Sequence, residues 1–286
     1  MPLQGGSLGV STHKTMQPRQ QHYTAISEVE EMSNIVVKDA VIFITGANRQ
    51  RGIGRALVEE AVKRGAKKVY ATARNSSQLD SLASQYQGIV IPLRLDVTNR
   101  MEIEQVAKEA SDTQILINNA GFAGYSGVCF NYNEEVAKQE LEINYFGSLN
   151  LIRAFCKTLI KNRNGAIANV ISIGGLSSFP LCATYSASKA AAHSLTQSVR
   201  AELTGHGVSV FGIYPGPIDT DMADGLNHEK ETPAYAAVRI FDGIAQGIED
   251  ITTDGFADNF VKNLRLDPKA VEKDVGNFVH QIPENF

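Results

Sequence analysis

The chain has 286 residues, of which 43% are hydrophobic and 20% charged, and its formal net charge is −4. That length suits one large α/β domain with a sizeable core, and the composition is that of a globular protein. The negative balance argues against a nucleic-acid or membrane-surface binder, and the absence of any run of about 18 apolar residues argues against a membrane span.

Residues 1–34 are rich in Gln, Ser, Gly and Thr and show no hydrophobic period. They read as a disordered leader without the basic-then-apolar layout of a secretory signal, and Met32 is an alternative start. From residue 40 the pattern changes. Apolar, β-branched runs at 40–45, 67–73, 89–95, 114–118, 166–172 and 208–214 read as strands. Between them, 52–65, 76–87, 99–111, 133–162 and 183–205 carry helical spacing, and a further helix is expected over 233–249. Continuous apolar strands joined by helical crossovers make a mainly parallel sheet with helices on both faces. The expected fold is therefore α/β, a single doubly wound, Rossmann-like domain over 35–250, with a substrate loop near 215–232. Residues 251–286 are expected to form a tail of short helices and turns packed on that domain.

The first strand runs into Thr45-Gly46-Ala47-Asn48-Arg49-Gln50-Arg51-Gly52-Ile53-Gly54, and a helix follows. Strand, glycine loop and helix are the context a phosphate-binding turn needs. Glycine lets backbone approach a pyrophosphate, and the helix N-terminus offers free N–H groups and partial positive charge. Gly46, Asn48, Arg49, Arg51, Gly52, Ile53 and Gly54 are thus expected at a dinucleotide cofactor. A cofactor with a free ribose 2′-hydroxyl usually meets an acid at the end of the second strand. Here that strand ends on Arg74. A guanidinium suits a 2′-phosphate, so NADP(H) is favoured over NAD(H).

These motifs resemble the short-chain dehydrogenase/reductase family from about Ala40 to about Met222, and they come in the family's order. After the glycine loop, Leu95-Asp96-Val97-Thr98 is similar to the segment that packs on the adenine. Asn118-Asn119-Ala120-Gly121 is similar to the turn that shapes the cofactor cleft. Leu141-Glu142-Ile143-Asn144 carries the helix asparagine. Ser172 lies thirteen residues before Tyr185, as the family's serine does. Tyr185-Ser186-Ala187-Ser188-Lys189 is its Tyr-x-x-x-Lys element. Tyr214 to Thr220 is similar to the segment that binds the nicotinamide carboxamide. The resemblance implies Asn144, Ser172, Tyr185 and Lys189 as catalytic residues. It further implies cofactor contacts from Asp96, Val97, Asn118, Ala120, Gly121, Tyr185, Lys189, Pro215, Gly216, Ile218 and Thr220.

Two features depart from the family. Five residues, Ala47 to Arg51, separate the first two glycines where three are usual, so spacing does not say which arginine reaches the phosphate. The usual Asp-Gly-Gly signature of the final strand is reduced to Asp254-Gly255-Phe256. A monomer, a homodimer and a homotetramer therefore stay open.

Tyr185 and Lys189 are four apart and share one face of a helix. A free phenol has a pKa of about 10, too high for ready proton exchange near neutrality. A nearby ammonium favours the phenolate. Ser172 could steady a developing alkoxide, and by the resemblance Asn144 would hold a water linking Lys189 to solvent. The expected activity is an NADP-dependent carbonyl reductase or alcohol dehydrogenase with no metal. The alternative is a non-redox or sensor protein that binds NADP(H) without turnover.

Leu176, Phe179, Leu181, Met222 and Leu226 point to a largely apolar carbonyl or alcohol substrate, although core packing accounts for such residues equally well. Cys129, Cys156 and Cys182 lack disulfide or zinc spacing, and the six histidines do not cluster as metal ligands, so a reducing cytoplasm is expected.

Overall fold

The computed structural model of the protein describes residues 35–162, 164–224 and 229–277. The leader expected over 1–34, Leu226 and the last residues of the tail lie outside the described residues.

Seven parallel strands form one sheet among the described residues. They are β1 (Val41–Ile44), β2 (Lys68–Ala73), β3 (Val90–Arg94), β4 (Ile115–Asn118), β5 (Gly165–Val170), β6 (Val208–Tyr214) and β7 (Asp250–Thr252). Their order is β3-β2-β1-β4-β5-β6-β7. β1 pairs with β2 on one side (Ile44 opposite Ala71) and with β4 on the other (Ile44 opposite Ile117). The chain direction across the sheet reverses between β1 and β4. A ligand crevice opens beyond the carboxyl ends of the strands at such a switch point.

The helices are α1 (Ile53–Lys63), α2 (Asp80–Gln85), α3 (Arg100–Glu109), α4 (Glu134–Leu141), α5 (Ser148–Asn162), α6 (Ala183–Glu202), α7 (Pro233–Ala245), α8 (Gly255–Leu266) and α9 (Pro268–Gly276). Side chains alternate across each strand and so feed two cores. Ile42 and Ile44 pack with Leu57 of α1 and Ile240, Phe241 and Ile244 of α7. Val41 and Phe43 pack on the opposite face with Ile103 of α3, Leu151 and Phe155 of α5 and Val199 of α6. Phe43 and Phe155 meet with ring centres 4.7 Å apart. Burying each such ring contributes about 1.5–3 kcal/mol. This is the doubly wound architecture expected from the alternating runs.

Two details differ from the sequence reading. The single helix expected over 133–162 is two helices joined by a π-helical segment, Glu142–Gly147. Its wider turn shifts the register, and such insertions cluster at functional sites. The helix expected to reach 249 ends at Ala245, and β7 follows on the edge of the sheet. β7 carries little signal because it has three residues and buries only Ile251 fully on the core.

The tail is anchored by a third core. Phe260 of α8 and Val271 and Val275 of α9 pack on Ile171, Ile173 and Tyr214 at the carboxyl end of the sheet. Leu176 joins that core, so it is a packing residue and does not line the main cleft.

Candidate active site

A cleft of about 1390 Å³ runs across the switch point. Ordinary ligand pockets hold about 300–1,000 Å³, so this one has room for a dinucleotide and a second molecule. Its first wall is the glycine loop. Gly46 follows β1 with φ +70°, and a Cβ there would sit 2.9 Å from the Ala120 Cα. A Cβ on Gly54 would lie 2.4 Å from the Gly46 carbonyl oxygen and 2.5 Å from the Asn119 Nδ2. Both positions need bare backbone. α1 begins at Ile53, so its unpaired first-turn N–H groups stand at the edge of the cleft.

The turn after β4 clamps this loop. Asn119 donates Nδ2 to the carbonyls of Thr45 (2.8 Å) and Gly46 (3.2 Å). The Thr45 hydroxyl oxygen accepts from the backbone N–H of Asn119 (3.0 Å) and Ala120 (2.9 Å). Ala120 and Gly121 line the cleft, whereas Asn118 does not. As the last residue of β4, Asn118 turns inward and donates to Asn169 at 2.8 Å. Asn119, in the turn expected to shape the cleft, is the residue that clamps the glycine loop.

At the other end of the loop, Arg74, Asn75 and Gln78 line the cleft with Asn48 and Arg49. Arg74 is exposed, and Asn48 donates to Gln78 at 2.9 Å. Arg51 turns away. It pairs with Asp219 at 2.7 Å and Asp224 at 3.0 Å, and it is absent from the cleft lining. Arg49 reaches Asp221 at 3.5 Å. The two extra residues of the glycine loop thus carry arginines to the acids of the 219–224 segment. Asp96 and Val97 line the far wall, and Asp96 is braced by accepting from Thr98 N at 3.0 Å and Thr98 Oγ1 at 2.8 Å.

Ser172, Tyr185 and Lys189 come together in the middle of the cleft. Ser172 follows β5, accepts from Gly174 N at 3.0 Å and hydrogen-bonds the Tyr185 phenol. Tyr185 sits in the first turn of α6. The residue is half-buried, and desolvation deep in the cleft pushes the phenol well above its usual range; Ser172 opposes the shift. Lys189, one turn on, is buried and donates to the Val170 carbonyl at 2.9 Å. Burial lowers its ammonium from 10.5 to about 8.

Asn144 lies inside the π-helical segment, buried behind the cleft lining. Its Oδ1 accepts from Phe122 N at 2.9 Å, and its Nδ2 donates to Phe122 O and Ser188 Oγ, each at 2.8 Å. Both amide hydrogens are committed, so the side chain holds the loop after β4 against α6.

Pro215, Gly216, Ile218 and Thr220 form the lip opposite the glycine loop. Gly216 N donates to Asp254 at 2.8 Å, and a Cβ on Gly216 would fall 2.5 Å from that carboxylate. Asp254 also caps α8 by accepting from Ala257 N at 2.8 Å. The remnant Asp254-Gly255-Phe256 motif thus fixes the 215–216 backbone. Phe122, Tyr125, Phe179, Leu181, Cys182, Met222 and Phe256 enclose the remaining space, and the Tyr125 hydroxyl donates to the Met222 carbonyl across it. Sequence reasoning missed Tyr125 and Glu140 and gave Asp254 no contact, because their partners are remote in the chain.

Among the described residues no three His, Cys, Asp or Glu side chains form a metal-binding group, and no helix is long and apolar enough to cross a membrane.

The family model described as short chain dehydrogenase matches residues 40–231. An uncharacterised oxidoreductase of Staphylococcus epidermidis is 33% identical over 195 residues, 67% of this chain and 83% of that protein. The 3-oxoacyl-acyl-carrier-protein reductase of Vibrio cholerae is 35% identical over 205 residues, 69% of this chain and 81% of that protein. The crystal structure of a short chain dehydrogenase from Burkholderia cenocepacia in complex with NADP is similar with TM-score 0.79 and 36% identity, covering 84% of this chain and 98% of that one. With a glycine cradle at the switch point and Ser172, Tyr185 and Lys189 beside it, the chain belongs to the short-chain dehydrogenase/reductase family, oxidoreductases that bind a nicotinamide cofactor.

Proposed function

We propose that the protein is an NADP(H)-dependent carbonyl reductase or alcohol dehydrogenase in which Tyr185 is the acid/base. The observation that carries this reading is the convergence of Ser172, Tyr185 and Lys189 beside the glycine cradle in one cleft.

The residues fit a dinucleotide. Gly46 and Gly54 let the loop pack bare backbone against Ala120 and Asn119, and this sets the loop at the α1 N-terminus, where a pyrophosphate would sit. Arg74 supplies a cation where a free ribose would call for an acid, and this supports the phosphorylated cofactor. Arg49 also lines this end, although Asp221 shares its charge. When bound, the nicotinamide supplies or accepts the hydride. The chain's own residues handle position and proton. Ser172 holds the substrate oxygen against Tyr185. Tyr185 donates its hydroxyl proton to the oxygen as negative charge develops there, and takes it back in the oxidation direction. Lys189, when protonated, offsets the cost of the resulting phenolate. Asn144 fixes the Phe122 backbone and Ser188, the neighbour of Lys189. A water relayed through Asn144 would have to use its carbonyl groups, since both amide hydrogens are committed.

The substrate we infer is a neutral, largely apolar carbonyl compound or its alcohol. Phe122, Phe179, Leu181, Met222 and Phe256 bound its space, and no acidic or basic side chain stands among them. The free thiols of Cys129, Cys156 and Cys182 suit a cytoplasmic location. A panel of aromatic and aliphatic ketones and aldehydes, each incubated with NADPH or NADH, tests the reading. Loss of NADPH absorbance with an apolar member is the expected result. NADPH binding without turnover of any member would favour a sensor instead.

A further inference from the structure

Glu140 is fully buried on the last turn of α4 and has no ion-pair partner among the described residues. An isolated buried carboxylate is costly unless hydrogen bonds hold it. Here Oε1 accepts from Gly124 N at 2.8 Å and Oε2 accepts from Thr184 Oγ1 at 2.6 Å. Thr184 is the second residue of α6, and the helix N-terminus favours negative charge. The Thr184 backbone N–H goes to the Ser126 carbonyl at 3.3 Å. Glu140 therefore ties the loop after β4 to the turn of α6 that carries Tyr185.

We propose that Glu140 is a positioning residue for Tyr185: it locks the first turn of α6 to the 121–126 loop and sets the phenol against Ser172. This rests on the reading of Tyr185 as the acid/base. The location has an electrostatic consequence as well. Tyr185 is faced by Ser172 after β5, Cys182 before α6, Tyr125 in the loop, Lys189 on α6 and Glu140 behind. Burial is the main reason the phenol stays protonated, and a carboxylate at Glu140 adds a smaller push in the same direction.

Glu140→Gln separates the two roles. The amide can accept from Gly124 N–H through Oε1 and donate Nε2–H to the Thr184 hydroxyl. That hydroxyl then donates to the Ser126 carbonyl, already 3.2 Å away. The links persist without the charge. Glu140→Leu removes both. The first readout is the ionisation of Tyr185, followed as the ultraviolet difference between each protein and its Tyr185→Phe counterpart, with and without oxidised NADP. Its pKa is expected to fall only slightly in Glu140→Gln and to rise in Glu140→Leu, where the phenol loses its place against Ser172. The second readout is turnover. Glu140→Leu is expected to lose about tenfold to a hundredfold in kcat at an unchanged Kd for NADPH, while Glu140→Gln keeps most of its kcat. A Tyr185 titration in Glu140→Leu that matches Glu140→Gln, or full kcat in Glu140→Leu, overturns the proposal. If Glu140→Leu does not fold, Thr184→Val, which removes the hydrogen bond that joins Glu140 to α6, decides by the same two readouts. A wild-type protein that binds NADPH and reduces nothing would contradict the reductase reading, and the titration would still test Glu140.

Discussion

The Lys189 ammonium lies 5.7 Å from the centre of the Tyr185 ring, one turn along α6, and gives its hydrogen bond to the Val170 carbonyl at 2.9 Å. A buried cation held by one carbonyl beside a phenol is poorly placed for stability and well placed for charge. It waits where a phenolate would form.

That cost is measurable. Burial lowers the Lys189 ammonium from 10.5 to about 8 in the folded protein. Below about pH 8 both folded and unfolded chains hold the proton, and the folded state bears the full penalty, on the order of 3 kcal/mol. Between pH 8 and 10.5 the folded state loses its proton first, and the penalty shrinks as pH rises. Lys189→Met should therefore resist urea better near neutrality, with the advantage fading towards about pH 10. Loss of the Val170 hydrogen bond offsets about 1 kcal/mol of the gain. A variant less stable than wild type at neutral pH would contradict this. Its turnover should fall sharply in either case.

Arg74 and Arg51 make opposite predictions. Arg74 lines the cleft, so Arg74→Ala should weaken NADPH binding by about 10- to 100-fold and leave NADH within about twofold. Equal losses would remove Arg74 from the 2′-phosphate.

Arg51 is held by Asp219 and Asp224, and all three are about half exposed. Solvent screens such exposed pairs, so they contribute little. Arg51→Ala should leave the NADPH Kd within about threefold and Tm nearly unchanged. A loss matching that of Arg74→Ala would mean that Arg51 leaves its acids for the phosphate.

Asp254 joins the tail to the lip of the cleft. Asp254→Ala would strand the N–H groups of Gly216 and Ala257, each at a cost of about 1–3 kcal/mol. Denaturant unfolding should show that loss, and NADPH binding should weaken as the 215–220 backbone loosens. An unchanged unfolding midpoint would show that neither bond matters.

What could be read in the sequence was what is local in the chain. Six strands announced themselves as apolar runs because a parallel sheet covered on both faces buries both sides of each strand. Tyr185 and Lys189, and the glycines at 46, 52 and 54, declare themselves by spacing within one element. β7 was hidden by its three-residue length. The π-helical segment was hidden because one widened turn barely disturbs an apolar period. Glu140 and Asp254 were hidden because their partners Thr184 and Gly216 lie 44 and 38 residues away. Which loop arginine faces the phosphate end was not legible, because Arg49 and Arg51 share the same context and only three-dimensional placement shows the acids that pair with Arg51.

The central claim is that Tyr185 moves the proton in an NADPH-dependent reduction. Tyr185→Phe keeps the ring and its packing and removes only the hydroxyl. With an apolar ketone identified from the panel, turnover by this variant should fall by about 10²- to 10⁴-fold while the Kd for NADPH stays within about twofold. Turnover equal to wild type would contradict the account.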